Sequence, residues 1–182
     1  MPAVTSVTIN RAPVLALWAA VVAEHLGFAR HEALTLGKAL SGINAQSKGR
    51  ALGIFKPAGK SETARRRREL KPGEALGVEL MHRTIPAVRT PEGLRAAHGG
   101  KPMTPESVER YFESKFKDGL GPAREAMEAL AGSLDENDLA EQAFALYEAF
   151  RPVIPRGTKG WGVAGVLDLE RIRSLAEGRR KR

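Results

Sequence analysis

An apolar run near the amino terminus constrains the fold of this chain most strongly. From Ala12 to Leu26, apolar residues cover most of the circumference of a predicted helix. A helix that is apolar on all sides has to be buried on all sides, so other elements must surround it. The run is too short to cross a bilayer, which needs about 20 apolar residues. We therefore expect a central buried helix and no membrane partner.

A secretory signal is the alternative interpretation of this run. Arg11 precedes the run, and residues 21–23 resemble a cleavage site. However, the run begins late, contains Pro13 and Trp18, and continues into a segment that predicts a second packed helix. The buried helix is therefore the better interpretation. Because the chain also contains no cysteine, which suits a reducing compartment, we expect a cytoplasmic protein.

The rest of the chain predicts a mainly α, multi-helix, bundle-like fold. A second helix is expected from about Arg30 to Asn44, where Gly37 leaves room for another backbone to come close. Apolar residues at intervals of three and four predict helices over 104–116, 122–132 and 135–150 and a last helix over 169–176. Alternating apolar residues predict a small β-hairpin near residues 75–89, and residues 4–9 predict a short extended lead-in.

Composition divides the chain into three segments. Residues 1–72 form a basic helical segment, residues 73–102 a hairpin and loop joint, and residues 103–182 a helical domain with a basic tail. The stretch from Thr90 to Pro102 is rich in Gly and Pro, which predicts a loop or a domain joint. With 182 residues, one compact domain is the alternative.

The positive charge of the chain lies in its first segment. Residues 1–72 contain 12 Lys and Arg against 4 Asp and Glu, while residues 73–182 contain 17 of each sign. This imbalance accounts for the whole formal charge of +8. A basic half beside a neutral half produces a directional field that attracts polyanions. Nucleic acid is therefore the predicted partner, with DNA favoured over RNA.

Residues 22–36 resemble a helix-turn-helix. This motif needs a small residue in its first helix, a glycine at the turn and apolar residues that fix the angle between the helices. Ala23, Gly27, Phe28 and Leu36 meet these requirements. The motif would turn four polar side chains toward a major groove, namely Arg30, His31, Thr35 and Lys38. An ordinary helical hairpin with a glycine turn is the alternative. In a helix-turn-helix Leu34 would be exposed, which counts against that motif.

A glycine-punctuated basic connector follows the second helix. Its cations can neutralise phosphates without reading sequence. The predicted phosphate-binding residues are Lys48, Arg50, Lys56, Lys60, Arg65, Arg66, Arg67 and Arg68. Four consecutive arginines repel one another, and a polyanion would relieve that repulsion. The alternative is that they form one solvated helix turn.

No pattern in the sequence indicates a cofactor, a metal site or a catalytic group. The four histidines lack a metal-ligand spacing. The segment Gly53–Ser61 departs from a phosphate-binding loop because five residues, instead of four, separate its glycines. We therefore predict no catalytic residues, no metal ligands and no cofactor.

The sequence thus predicts a nucleic-acid-binding protein with largely electrostatic and weakly sequence-specific recognition. Two alternatives remain open. The first is a helical protein-interaction or structural module whose basic surface meets an acidic partner. The second is an enzyme of unidentified type that uses His82 or His98. A homo-oligomer, for instance a dimer, is a further possibility because the helices from Thr104 to Phe150 are amphipathic.

Overall fold

The computed structural model describes residues 4–43, 54–55, 75–98, 101–154 and 163–180. The helices of these ranges are α1 (Arg11–His25), α2 (Arg30–Gly42), α3 (Pro105–Phe116), α4 (Leu120–Gly132), α5 (Glu136–Phe150) and α6 (Leu169–Arg180), with a short 3₁₀ turn at Lys117–Gly119. The strands are β1 (Ser6–Ile9), β2 (Ile54–Phe55), β3 (Ala75–Leu80), β4 (Arg83–Thr90), β5 (Gly93–His98), β6 (Lys101–Pro102) and β7 (Gly165–Asp168).

Helix α1 lies at the centre of the helical part, as its apolar circumference predicts. Ten of its fifteen residues are buried, and it packs against α2, α3, α4 and α5. The indole Nε1 of Trp18 donates a 2.8 Å hydrogen bond to the carbonyl oxygen of Ala143 in α5. The polar atom of this large buried side chain is therefore satisfied, and the prediction of a central buried helix is confirmed.

Helices α1 and α2 form a tight pair joined by a short turn. Gly27 has a φ of 110°, which a glycine adopts without steric cost. A Cβ atom added to Gly37 would lie only 2.4 Å from the carbonyl oxygen of Ala16 and 2.7 Å from the nitrogen of Ala20. The two backbones are thus almost in contact, and the prediction that Gly37 admits a close neighbour is confirmed.

The predicted hairpin is part of a larger sheet. Five strands follow the order β2-β3-β4-β5-β6, with β2 parallel to β3 and the other pairs antiparallel. The expectation of a loop over Thr90–Pro102 is wrong, because β5 and β6 lie there. Gly93, with a φ of 134°, forms the turn into β5. The strand escaped sequence-based prediction because its Gly and Ala residues have low strand propensity.

Helix α2 closes the outer edge of β5. The carboxylate of Glu32 accepts a hydrogen bond from the backbone nitrogen of Leu94 at 2.9 Å. The hydroxyl of Thr35 accepts one from the backbone nitrogen of Ala96 at 3.0 Å. Strand edges with unpaired N–H groups attract other chains. Strand β6 pairs with Ala97 and His98 of β5, and the two side chains of α2 accept from N–H groups earlier in the strand.

The carboxyl-terminal helices agree with their predicted positions. Asp135 caps α5 by accepting a 2.8 Å hydrogen bond from the backbone nitrogen of Asp138. Asp168 accepts bonds from the backbone nitrogens of Glu170 and Arg171 at the start of α6. Both caps satisfy N–H groups that have no partner within the helix. Capping signals of this kind explain why these helix starts are readable from sequence.

Strands β1 and β7 pair in a second, two-stranded antiparallel sheet. Ser6 lies opposite Asp168 and Ile9 opposite Gly165. This sheet joins the beginning of the described chain to its last helix. The extended lead-in over residues 4–9 was predicted, but its partner strand β7 was not.

The protein is mainly helical, as predicted, but its β-structure exceeds the predicted hairpin and forms two sheets. One hydrophobic core cluster contains buried residues from Ile9 to Ala176. Among the described residues, no helix combines the length and the apolar character that a membrane crossing requires.

Candidate functional site

The four polar residues predicted on α2 do not form one open surface. Arg30 is exposed, but its guanidinium pairs with the carboxylate of Glu109 at 3.2 Å. Lys38 lies over the ring of Tyr111, with 4.4 Å between its Nζ and the ring centroid. Each of these two cations therefore interacts with a side chain of α3.

His31 and Thr35 face the sheet. Arg95, which is 8% exposed, donates a 2.8 Å hydrogen bond to Nδ1 of His31. Because arginine is only a donor, this bond fixes the tautomer of His31 with its proton on Nε2. Thr35 is fully buried and bonded to β5. The prediction that Thr35 faces a major groove is therefore wrong, because its hydroxyl completes a strand edge.

The predicted connector residues lie outside the described part of the chain. These are Lys48, Arg50, Lys56, Lys60, Arg65, Arg66, Arg67 and Arg68. Their role in phosphate binding stays a prediction.

Three arginines from distant parts of the sequence meet at a cleft of about 380 Å³. The described residues that line it are Arg11, Ala12, Leu15, Ser41, Arg83, Phe144, Tyr147, Arg151, Ile154 and Val163. None of them is Asp or Glu. We call this site the arginine cleft.

Backbone carbonyl groups hold two of the three guanidinium groups. Arg11 is the first residue of α1, and its Nε donates a 3.1 Å hydrogen bond to the carbonyl oxygen of Pro152. Arg83 begins β4, and its Nη1 donates a 3.1 Å bond to the carbonyl oxygen of Ile43. Each bond uses one of the five N–H donors of an arginine, so donors remain for a ligand.

The turn between β3 and β4 sets the position of Arg83. Met81 and His82 have φ values of 51° and 63°, which non-glycine residues rarely adopt. Met81 is buried, and Nε2 of His82 lies 3.0 Å from the carbonyl oxygen of Glu141 in α5. The turn is thus anchored to α5 through His82, the residue before Arg83. Its contact on α5, Glu141, lies about one helical turn before Phe144.

Two aromatic rings of α5 form one wall of the cleft. The guanidinium of Arg83 lies over the half-buried ring of Phe144, with 5.4 Å between the guanidinium carbon and the ring centroid. Tyr147 is 5% exposed, and its hydroxyl donates a 3.3 Å hydrogen bond to the carbonyl oxygen of Arg11. The cleft therefore joins cationic donors to flat apolar surfaces.

The arginine cleft keeps its positive charge over a wide pH range. Burial raises the pKa of Tyr147 above its ordinary value, while the nearby Arg151, Arg11 and Arg83 oppose this by lowering it. Tyr147 is therefore neutral at physiological pH. Arginine side chains remain protonated in proteins, so the three cations are uncompensated by any described side chain that lines the cleft.

This arrangement suits binding of an anion. Guanidinium groups donate to phosphate or carboxylate oxygens in a bidentate geometry, but they do not take up protons. The hydroxyl of Ser41, which also lines the cleft, donates its hydrogen bond to the carbonyl oxygen of Lys38 at 2.8 Å.

In the part of the chain that the structure describes, no three His, Asp or Glu side chains are grouped so that they could hold a metal ion.

Sequence reasoning missed the arginine cleft. Phe144, Tyr147 and Arg151 follow the spacing of one helix face, a signal that was present in the sequence. Arg11 and Arg83 carry no comparable signal, because only the packing of α1 and the hairpin against α5 brings them there.

Comparison with protein-family models, curated proteins and solved structures finds no match for this chain. We therefore infer its function from the geometry of the arginine cleft and from the charge of the chain.

Proposed function

We propose that this protein binds nucleic acid and that the arginine cleft holds part of the phosphate backbone. The observation that carries the proposal is the meeting of three arginines, without a carboxylate among the described lining residues, beside two aromatic rings. Phosphate contacts from arginine supply most of the sequence-independent affinity of proteins for nucleic acid. Recognition would thus be largely electrostatic and weakly sequence-specific.

The basic connector supports the same proposal. It continues the chain from Ile43, whose carbonyl oxygen accepts the hydrogen bond from Arg83. Between residues 47 and 71 the sequence contains nine Lys and Arg against two Asp and Glu. Cations in this segment would extend the electrostatic attraction that begins at the cleft. A preference for DNA over RNA is part of the proposal and is tested with the same assay.

A helix-turn-helix mode of binding has less support. A recognition helix needs an exposed face that enters the major groove. Seven residues of α2 are buried, among them Leu34, Thr35 and Leu36. We therefore assign the main contact to the arginine cleft and not to α2.

The test is the salt dependence of oligonucleotide binding, measured by fluorescence anisotropy on the full chain. If phosphates are bound, log Kobs falls linearly with log salt concentration. Arg151→Gln should weaken binding about 10-fold, the scale of a lost hydrogen bond to a charged group, and reduce the slope by about 0.7 for a single strand. Arg83→Gln should also weaken binding about 10-fold.

Arg110→Gln is the matched control, since Arg110 is an exposed arginine on α3 away from the cleft. It should change the affinity less than either cleft variant. Absence of oligonucleotide binding at about 50 mM salt would contradict the proposal. So would equal affinity for polyglutamate of matched charge, which would favour an acidic protein as partner.

A further inference from the structure

We infer that the arginine cleft accepts one unpaired nucleotide, so that the protein prefers single-stranded to duplex nucleic acid. The inference rests on the proposed function and specifies the form of nucleic acid that the cleft would take. It depends on three features of the cleft: its size, its flat surfaces and the presence of two further arginines beside Arg83.

The size of the cleft suits a single nucleotide. Its volume of about 380 Å³ falls within the range of sites that enclose small organic ligands. In a duplex the bases are stacked and paired, so they reach a concave pocket only after they are turned out of the helix. An unpaired strand presents its bases without that cost.

The wall of the cleft offers the surfaces on which unpaired bases stack. Proteins bind unpaired bases against aromatic rings and against the plane of an arginine guanidinium. The guanidinium of Arg83 lies over the ring of Phe144 at 5.4 Å, so the ring supports the guanidinium, on which a base would stack. The Phe144 ring is half-buried, so it is fixed by packing and still reaches the cleft.

The other two arginines provide a place for the phosphate. Arg11 is held at the start of α1 by its bond to Pro152, and Arg151 immediately follows the end of α5. Both side chains line the same cleft as Tyr147, and their charges, like that of Arg83, lower the pKa of the Tyr147 hydroxyl. A nucleotide with its base on Arg83 and Phe144 would carry its phosphate toward this pair.

The test compares three ligands of about 12 nucleotides on the full chain: a single strand, its duplex, and an abasic strand that keeps every phosphate. The single strand should bind about 10-fold more tightly than the duplex and the abasic strand, the scale of a base stacked on an aromatic residue. Phe144→Leu should lower single-strand affinity to the level of the abasic strand. It should lower the affinities for the duplex and the abasic strand much less, because neither ligand places a base on the ring.

Tyr111→Leu is the matched control. Tyr111 is also a half-buried aromatic residue with a cation over its ring, in this case Lys38, but it lies outside the cleft. This variant should keep the preference for the single strand. Circular dichroism of both variants checks that they are folded.

The outcomes separate this inference from the proposed function. If no ligand binds at low salt, the proposed function fails and the inference fails with it. If all three ligands bind equally and with steep salt dependence, nucleic-acid binding stands and the preference for an unpaired nucleotide is wrong. Displacement of the strand by a free mononucleotide at equal concentration would also overturn the inference, because the ligand would then be a free nucleotide.

Discussion

The side chain of Thr35 links helix α2 to the sheet at a single atom. Its hydroxyl donates to the carbonyl oxygen of Glu32 at 3.1 Å and accepts from the backbone nitrogen of Ala96 at 3.0 Å. Both bonds are buried, so neither partner has water as a substitute. A buried N–H group that loses its acceptor costs about 1–3 kcal/mol.

Thr35→Val should therefore lower the free energy of unfolding by about 1–3 kcal/mol. Valine keeps the shape of the side chain but provides no acceptor for Ala96. Urea denaturation measures the change, and Thr8→Val is the control because Thr8 is exposed on β1. A Thr35→Val variant of unchanged stability but weaker DNA binding would instead favour a groove-facing α2.

At the scale of elements, the crossing of α1 and α2 depends on the missing side chain of Gly37. An alanine here gains up to about 1 kcal/mol of helix propensity, but its Cβ would lie 2.4 Å from the carbonyl oxygen of Ala16. Because that oxygen belongs to the backbone, one helix has to move. Overpacking of this kind typically costs about 1–3 kcal/mol.

Gly37→Ala should thus destabilise the protein, with a lower midpoint in urea. Gly178→Ala in α6 is the control, because nothing lies within 4 Å of its added Cβ. That variant should be neutral or more stable by up to about 1 kcal/mol. Equal effects of the two substitutions would contradict the close approach of α1 and α2.

The turn at Met81 and His82 positions Arg83 relative to α5. His82→Gly relieves the cost of a positive φ, about 1 kcal/mol, and removes the contact with the carbonyl oxygen of Glu141, which is worth about 1 kcal/mol. These two contributions to the free energy of unfolding have opposite signs and similar size, so the thermal stability should change little. Oligonucleotide affinity should fall several-fold, because Arg83 loses its anchor beside Phe144.

Thermal unfolding and anisotropy measured on the same His82→Gly preparation separate these effects. Addition of Arg83→Gln to the variant should then cause little further loss of affinity, since both changes act on one contact. An affinity equal to that of the unchanged chain would mean that the turn does not position Arg83.

The helices were predictable because their signals are local. Apolar residues three and four apart define the faces of α3, α4 and α5, and Asp135 and Asp168 mark two of the helix starts. Strand β5 was not predictable, because its alanines and glycine have low strand propensity. It forms because β4, β6 and the side chains of α2 supply its hydrogen-bond partners.

At the scale of the whole molecule, the candidate site could not be predicted from the sequence. The three arginines of the cleft lie far apart in the chain. Arg11 begins a helix, Arg83 begins a strand and Arg151 follows the end of a helix. The packing of α1, the β3–β4 turn and α5 around one core brings them to a common cleft. The overall charge predicts an anionic partner, but the sequence-based prediction placed part of the contact on α2, where Arg30 is paired with Glu109.

Ultraviolet cross-linking of the full chain to a short single-stranded oligonucleotide tests the central claim most directly. Mass spectrometry of the digested product locates the cross-linked residues. We predict cross-links to Phe144 or Tyr147, which are lost in the Arg83→Gln, Arg151→Gln double variant and kept in Arg110→Gln. Cross-links that map only outside the arginine cleft would contradict its assignment as the nucleic-acid-binding site.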